Sequence, residues 1–237
     1  AADLRPVSET CDLYVLARDL LRLLVSSDAD FALLAGERLM APMIGGPRKR
    51  PAGDRPRIAL SWKTTNGPQG RYRNIPLADL ASVLAEHDLD WHVAQHGDVT
   101  ADLSDLRRLA PGASIVAGTL HPLGDMASFA NELLAMDAVV TVDNTLLHLA
   151  GGLRIPTLAL ISAPAYWAWP SAGTASRWYA SVTLLRHAKP GAWSDVVSAL
   201  SQALRGQFSQ GPAGVGQSSD VEAVADQTRS RTDRHPA

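Results

Sequence analysis

Between Arg57 and Leu204 short apolar runs alternate with amphipathic stretches, and this alternation organises most of the chain. The runs Arg57–Trp62, Trp91–Gln95, Ser114–Ala117, Ala138–Val142, Thr157–Ile161 and Val182–Leu185 are β-branched or aliphatic and apolar nearly throughout. That is the pattern of parallel strands covered on both faces. Helical periodicity fills four of the gaps, over Leu77–Glu86, Asp125–Ala135, Thr145–Leu153 and Ala192–Leu204. Strand-helix-strand order implies a parallel sheet with crossover helices. The predicted fold is α/β, a doubly wound parallel sheet of about six strands, preceded by short helices.

The flanks read differently. Leu13, Leu16, Ala17, Leu20, Leu21 and Leu24 fall three and four apart, the spacing of one helix face, and a second short helix is predicted over Phe31–Met40. Residues 46–56 are rich in Gly and Pro around Arg48, Lys49 and Arg50, which marks a linker whose basic cluster is read as a solvated hinge. Residues 206–237 offer few large apolar side chains among Gly, Ser, Gln and charge, so a disordered tail is expected there. The resulting division is a helical segment over 1–45, a linker over 46–56, a Rossmann-like domain over 57–205 and a tail. There is no internal repeat.

Composition narrows the function. Hydrophobic residues make up 46% and charged residues 19%, enough for a sizeable core. A formal net charge of −2 gives no general attraction to nucleic acid, so any anion site must be local. Cys11 is the only cysteine, which excludes an internal disulfide and a Cys-based zinc cluster and suits the cytoplasm; no metal is predicted. No apolar run reaches the ~18 residues of a membrane span. The chain begins at Ala1 rather than Met, as a trimmed, processed or partial product would.

Ligands of an open parallel sheet bind beyond the carboxyl ends of its strands. After the predicted strand ending at Val142 come Asp143, Asn144, Thr145 and, four residues after Asn144, His148. Asp143 or Asn144 can cap the next helix, whose free amides and dipole would seat an anion. These residues also allow a plainer reading, in which the two only cap the helix and His148 packs under a loop. As an imidazolium on a phosphate, His148 would make affinity fall as pH rises through ~6.5.

The loop after the first strand carries Lys63, Thr64, Thr65, Arg71 and Arg73 among Gly, Pro and Asn, and suits a diphosphate, although such loops are often merely solvated. Gln95 ends the second strand. Tyr166, Trp167 and Trp169 either line a sugar or base pocket or cover the core. Neither a Walker pattern nor GxGxxG is present.

Taken in order, Ala59-Leu60-Ser61-Trp62, Arg73-Asn74-Ile75-Pro76-Leu77 and Val142-Asp143-Asn144-Thr145-Leu146-Leu147-His148-Leu149-Ala150-Gly151 resemble the carboxyl-terminal half of GT-B glycosyltransferases. Ser176-Arg177-Trp178-Tyr179, Leu184-Leu185-Arg186 and Pro190-Gly191-Ala192-Trp193 extend the likeness. The nearest group is similar to the transferase domain that bacteria place after tetratricopeptide repeats, related to the heptosyltransferases of glycosyltransferase family 9.

The resemblance implies a nucleotide-diphosphate-sugar donor bound by Lys63, Thr64, Arg71, Arg73, Gln95, Asp143, Asn144, Thr145 and His148, with neither metal nor cofactor. It assigns no catalytic residue here, because a GT-B enzyme takes its acceptor and usually its base from a second domain. Bulky Leu146 stands where relatives carry a small residue, and Ala168 where they tend to carry Arg. The expected function is that of a glycosyltransferase donor half, with an acceptor domain or partner protein. A non-catalytic binding or scaffolding module is the alternative, and a GT-B-like epimerase a third possibility.

Overall fold

A computed structural model of the chain describes residues 50–65, 70, 72–163, 165, 168–187, 189, 191 and 193–208. The helices expected near the amino terminus, residues 46–49 of the linker and all but the first three residues of the expected tail lie outside these. In chain order the elements are β1 (Arg57–Ser61), α1 (Leu77–Glu86), β2 (Asp90–Val93), α2 (Thr100–Leu109), β3 (Ser114–Val116), α3 (Met126–Leu133), β4 (Ala138–Val142), α4 (Thr145–Gly152), β5 (Thr157–Ile161), β6 (Val182–Arg186) and α5 (Trp193–Phe208). The strands form one six-stranded sheet in the order β3-β2-β1-β4-β5-β6, and every pairing is parallel.

Side chains on a strand point alternately to opposite faces, and the core divides accordingly. Ile58 and Leu60 of β1 pack with Val140 of β4 against Leu80 and Leu84 of α1, Leu106 of α2 and Leu200 of α5. Ala59 and Val139 face the other way, onto Phe129 and Leu133 of α3 and Leu146, Leu149 and Leu153 around α4. Each large apolar side chain of this kind, fully buried, contributes roughly 1.5–3 kcal/mol. The sheet is therefore covered on both faces, the doubly wound arrangement that the continuous apolar runs predict.

Two helices depart most from expectation, while other elements differ by a residue or two at their ends. Helix α2 is absent from the predicted set: it is polar and charged over most of its length, with only Leu103 and Leu106 buried on it. Its start is fixed by Asp98, whose Oδ1 accepts from the Thr100 amide at 2.9 Å. The last helix runs to Phe208, beyond the predicted Leu204, with Phe208 resting on the core.

Helix α4 is short and anchored at both ends. Asn144 caps its start, its side chain accepting from the Leu146 amide at 3.0 Å. At its end the Ile155 amide donates to the Ala150 carbonyl and the Arg154 amide to the Gly151 carbonyl, both at 3.0 Å. This is a Schellman motif, with Arg154 in the left-handed region at φ 59°.

Candidate functional site

In the strand order, β1 leads through α1 to β2 on one side, whereas β4 leads through α4 to β5 on the other. Loops diverge at such a switch point and leave a crevice. A cavity of about 740 Å³ lies there. Its polar wall includes Ser61, Lys63, Thr64, Arg73, Gln95, Asp143, Asn144, Thr145 and His148, and its apolar wall Ala94, Pro122, Met126, Phe129, Leu146 and Leu149.

Two buried or half-buried amides build the floor. Gln95 Oε1 accepts from Ser61 Oγ (2.9 Å) and from the Trp62 (3.0 Å) and Lys63 (2.9 Å) amides, while Nε2 donates to the Lys63 (3.0 Å) and His96 (3.1 Å) carbonyls. Asn144 Nδ2 donates to Ser61 Oγ at 2.9 Å, so the cap of α4 is tied to the end of β1. The loop after β1 returns through the Ile75 amide to the Trp62 carbonyl (3.1 Å), and the Thr64 amide donates to Asn74 Oδ1 (2.8 Å). Thr145, the first residue of α4, is exposed on this cavity.

Both described cations in the wall face carboxylates. Lys63 Nζ lies 2.6 Å from Asp102 Oδ2, which also accepts from Trp62 Nε1 at 2.8 Å. Arg73 Nη1 lies 3.5 Å from Asp143 Oδ2, with the Asp143 side chain only 6% exposed. The four charges cancel in pairs. What the cavity offers an anion is thus lysine and arginine groups already oriented, beside a helix start, rather than a strong net positive field.

His148 closes one side. Its Nδ1 is 3.1 Å from the Tyr179 hydroxyl, and its ring stacks on Trp169 at a centroid distance of 5.3 Å. Burial lowers its pKa from 6.5, against a smaller upward pull from Asp143, so the ring is neutral at pH 7.

The sequence profile of glycosyltransferase family 9 (heptosyltransferase) matches residues 30–178, more than half of the 237-residue chain. The chain belongs to that family. No curated protein matches it. Among solved structures, E. coli ADP-heptose LPS heptosyltransferase II is similar, with 18% identity over 67% of this chain and 49% of its own, at a TM-score of 0.47. A GtfA/B complex is similar with 10% identity over 79% of this chain and 38% of its own, at a TM-score of 0.43. The chain thus spans about half or less of the length of each.

In this family 9 domain the residues singled out from sequence divide into three groups. Lys63, Thr64, Arg73, Gln95, Asp143, Asn144, Thr145 and His148 all line the one cavity. Of these, Gln95 and Asn144 direct their side-chain groups into the scaffold, and Asp143 faces Arg73, so their contribution is to hold others in place. Trp169 stands behind the wall, buried at 4% exposure and stacked on His148, not on the cavity itself. Arg71, Tyr166 and Trp167 lie outside the described residues.

Sequence reasoning missed Asp102, because α2 is mostly polar and is not among the predicted helices, and Tyr179, whose role appears only in three dimensions. His92 and His96 stand four apart, yet His92 Nδ1 pairs with Thr119 Oγ1 at 2.8 Å. Among the described residues no three His, Cys, Asp or Glu side chains converge as metal ligands would. No described helix is long and apolar enough to cross a membrane.

Proposed function

We propose that the cavity holds the diphosphate of a nucleotide-sugar donor and that this domain is the donor-binding half of a metal-independent glycosyltransferase. The observation that carries this reading is the convergence of Lys63, Thr64 and Arg73 on the start of α4 in one cavity. In glycosyl transfer the bond from the sugar to the diphosphate breaks and negative charge grows on the departing oxygens. Donors already fixed around that position stabilise such charge without reorganising. Lys63 and Arg73 supply charge, and Thr145 supplies a hydroxyl at the helix start. The apolar wall of Met126, Phe129 and Leu149 suits the face of a base or sugar.

The acceptor and the catalytic base belong, on this reading, to a further domain, a repeat segment or a partner protein, and the domain works in the cytoplasm where such donors occur. Titration calorimetry with ADP, GDP and UDP tests the proposal. At least one should bind, and Lys63→Ala and Thr145→Val should each weaken it roughly tenfold, the loss of about 1.4 kcal/mol in hydrogen bonding. Absence of binding by all three at millimolar concentration contradicts it. Arg73 is a poorer choice for mutation, because its removal strands the buried Asp143 carboxylate at a cost of about 3–5 kcal/mol.

A second reading, a non-catalytic module on the same fold, is favoured by one observation: both described cations of the wall are already neutralised within the protein.

A further inference from the structure

We infer that Tyr179 is a positioning residue that fixes the neutral His148 ring with its proton on Nε2, so that the cavity receives a hydrogen-bond donor and not a lone pair. What that donor meets, an oxygen of the diphosphate, rests on the donor-site reading; the state of the ring does not.

The ring is held on several sides. Trp169 stacks on it with planes 19° apart, and Tyr179 meets it edge-on, with centroids 6.0 Å apart and planes at 68°. The Tyr179 hydroxyl faces Nδ1 at 3.1 Å, which leaves Nε2 as the nitrogen for the cavity that His148 lines. Tyr179 is itself fixed. Its amide and that of Trp178 donate to Ser176 Oγ at 3.2 and 3.1 Å, and its carbonyl accepts from the Val182 amide at 3.1 Å.

Helix α4 is cut to receive this tyrosine. A Cβ on Gly151 would lie 2.5 Å from Tyr179 Cγ, so only glycine lets the ring approach so closely. A general packing role would be satisfied by phenylalanine, but the hydroxyl points at a ring nitrogen.

The direction of that hydrogen bond comes from acid-base chemistry. Phenol is a stronger acid than the imidazole N–H, and the unprotonated imidazole nitrogen is a stronger base than the phenol oxygen. O–H···N is therefore the stronger of the two arrangements, and it puts the histidine proton on Nε2. Asp143 acts on the His148 ring through its charge, but the Nδ1 contact is made by the Tyr179 hydroxyl. Nε2–H then points a donor at acceptor oxygens, whereas the other tautomer would present a lone pair to an anion and repel it.

Long-range proton-nitrogen correlation on the ¹⁵N-histidine-labelled chain at pH 8 reads the tautomer without any ligand, with His148→Gln assigning the signal. The expected pattern is a protonated Nε2 and a bare Nδ1. In Tyr179→Phe the two nitrogens should move toward each other as the tautomers mix. Affinity for whichever of ADP, GDP or UDP binds should fall roughly threefold to tenfold, the worth of one net hydrogen bond. A proton on Nδ1 in the unaltered chain, or an unchanged ring pattern in Tyr179→Phe, overturns the inference. Failure of the unaltered chain to bind any nucleotide contradicts the donor-site reading instead, and leaves the ring assignment to the spectrum.

Discussion

At the scale of single residues, the cavity is governed by how its charges are shared. Asp102 holds Lys63 Nζ at 2.6 Å while also accepting from the Trp62 indole. Asparagine at this position keeps an acceptor for the indole and removes the charge that competes with an anionic ligand for Lys63. Asp102→Asn should therefore tighten nucleoside diphosphate binding roughly fivefold at low salt, about 1 kcal/mol for a part-exposed pair. The gain should shrink as salt is raised, since a screened charge matters less. Weaker binding in Asp102→Asn, measured by calorimetry at two ionic strengths, would mean that the carboxylate orients Lys63 more than it restrains it. The sequence shows the cations plainly as residue types, but not this pairing: Asp102 lies on another element, and only the fold brings it to the loop after β1.

Elements explain which parts of the site are legible in the chain. The end of β4 and the start of α4 are adjacent in sequence, so Asp143, Asn144, Thr145 and His148 can be read together from an apolar run and the capping residue beyond it. Gln95 is visible as a polar residue at a strand end, but its use as a bracket requires the Ser61, Trp62 and Lys63 groups of a neighbouring strand. Likewise Gly151 looks like an ordinary helix-end glycine until Tyr179 is seen lying against it. This last contact gives a prediction. Gly151→Ala forces the Tyr179 ring out of its slot or shifts α4, and overpacking of this kind costs about 1–3 kcal/mol. A urea midpoint equal to that of the unaltered chain would show that the ring yields freely.

Over the whole molecule, the alternation of apolar and amphipathic stretches is enough to specify a doubly wound parallel sheet, because parallel strands need helices packed on both of their faces. Among the described residues the element it misses is α2, whose buried face is two leucines wide. The same burial sets the response to acid. His87, His92, His148 and His187 all have pKa values lowered from 6.5, in each case chiefly by burial. The unfolded chain therefore binds protons on these rings at a pH where the folded protein does not. Stability is full above about pH 7 and is lost as pH falls through 6.5 toward the lower folded values. Urea midpoints at pH 7.5, 6.5 and 5.5 should fall below pH 6.5; a flat or rising series would show that these rings are accommodated as cations.

The most direct test of the account is where a nucleoside diphosphate lands. In an assigned amide spectrum titrated with ADP, GDP or UDP, the Thr145 amide at the start of α4 should move most, together with those of Lys63 and Thr64. Perturbations confined to the opposite edge of the sheet, around Arg57 and Asp137 where β1 and β4 begin, would contradict it, whatever the affinity.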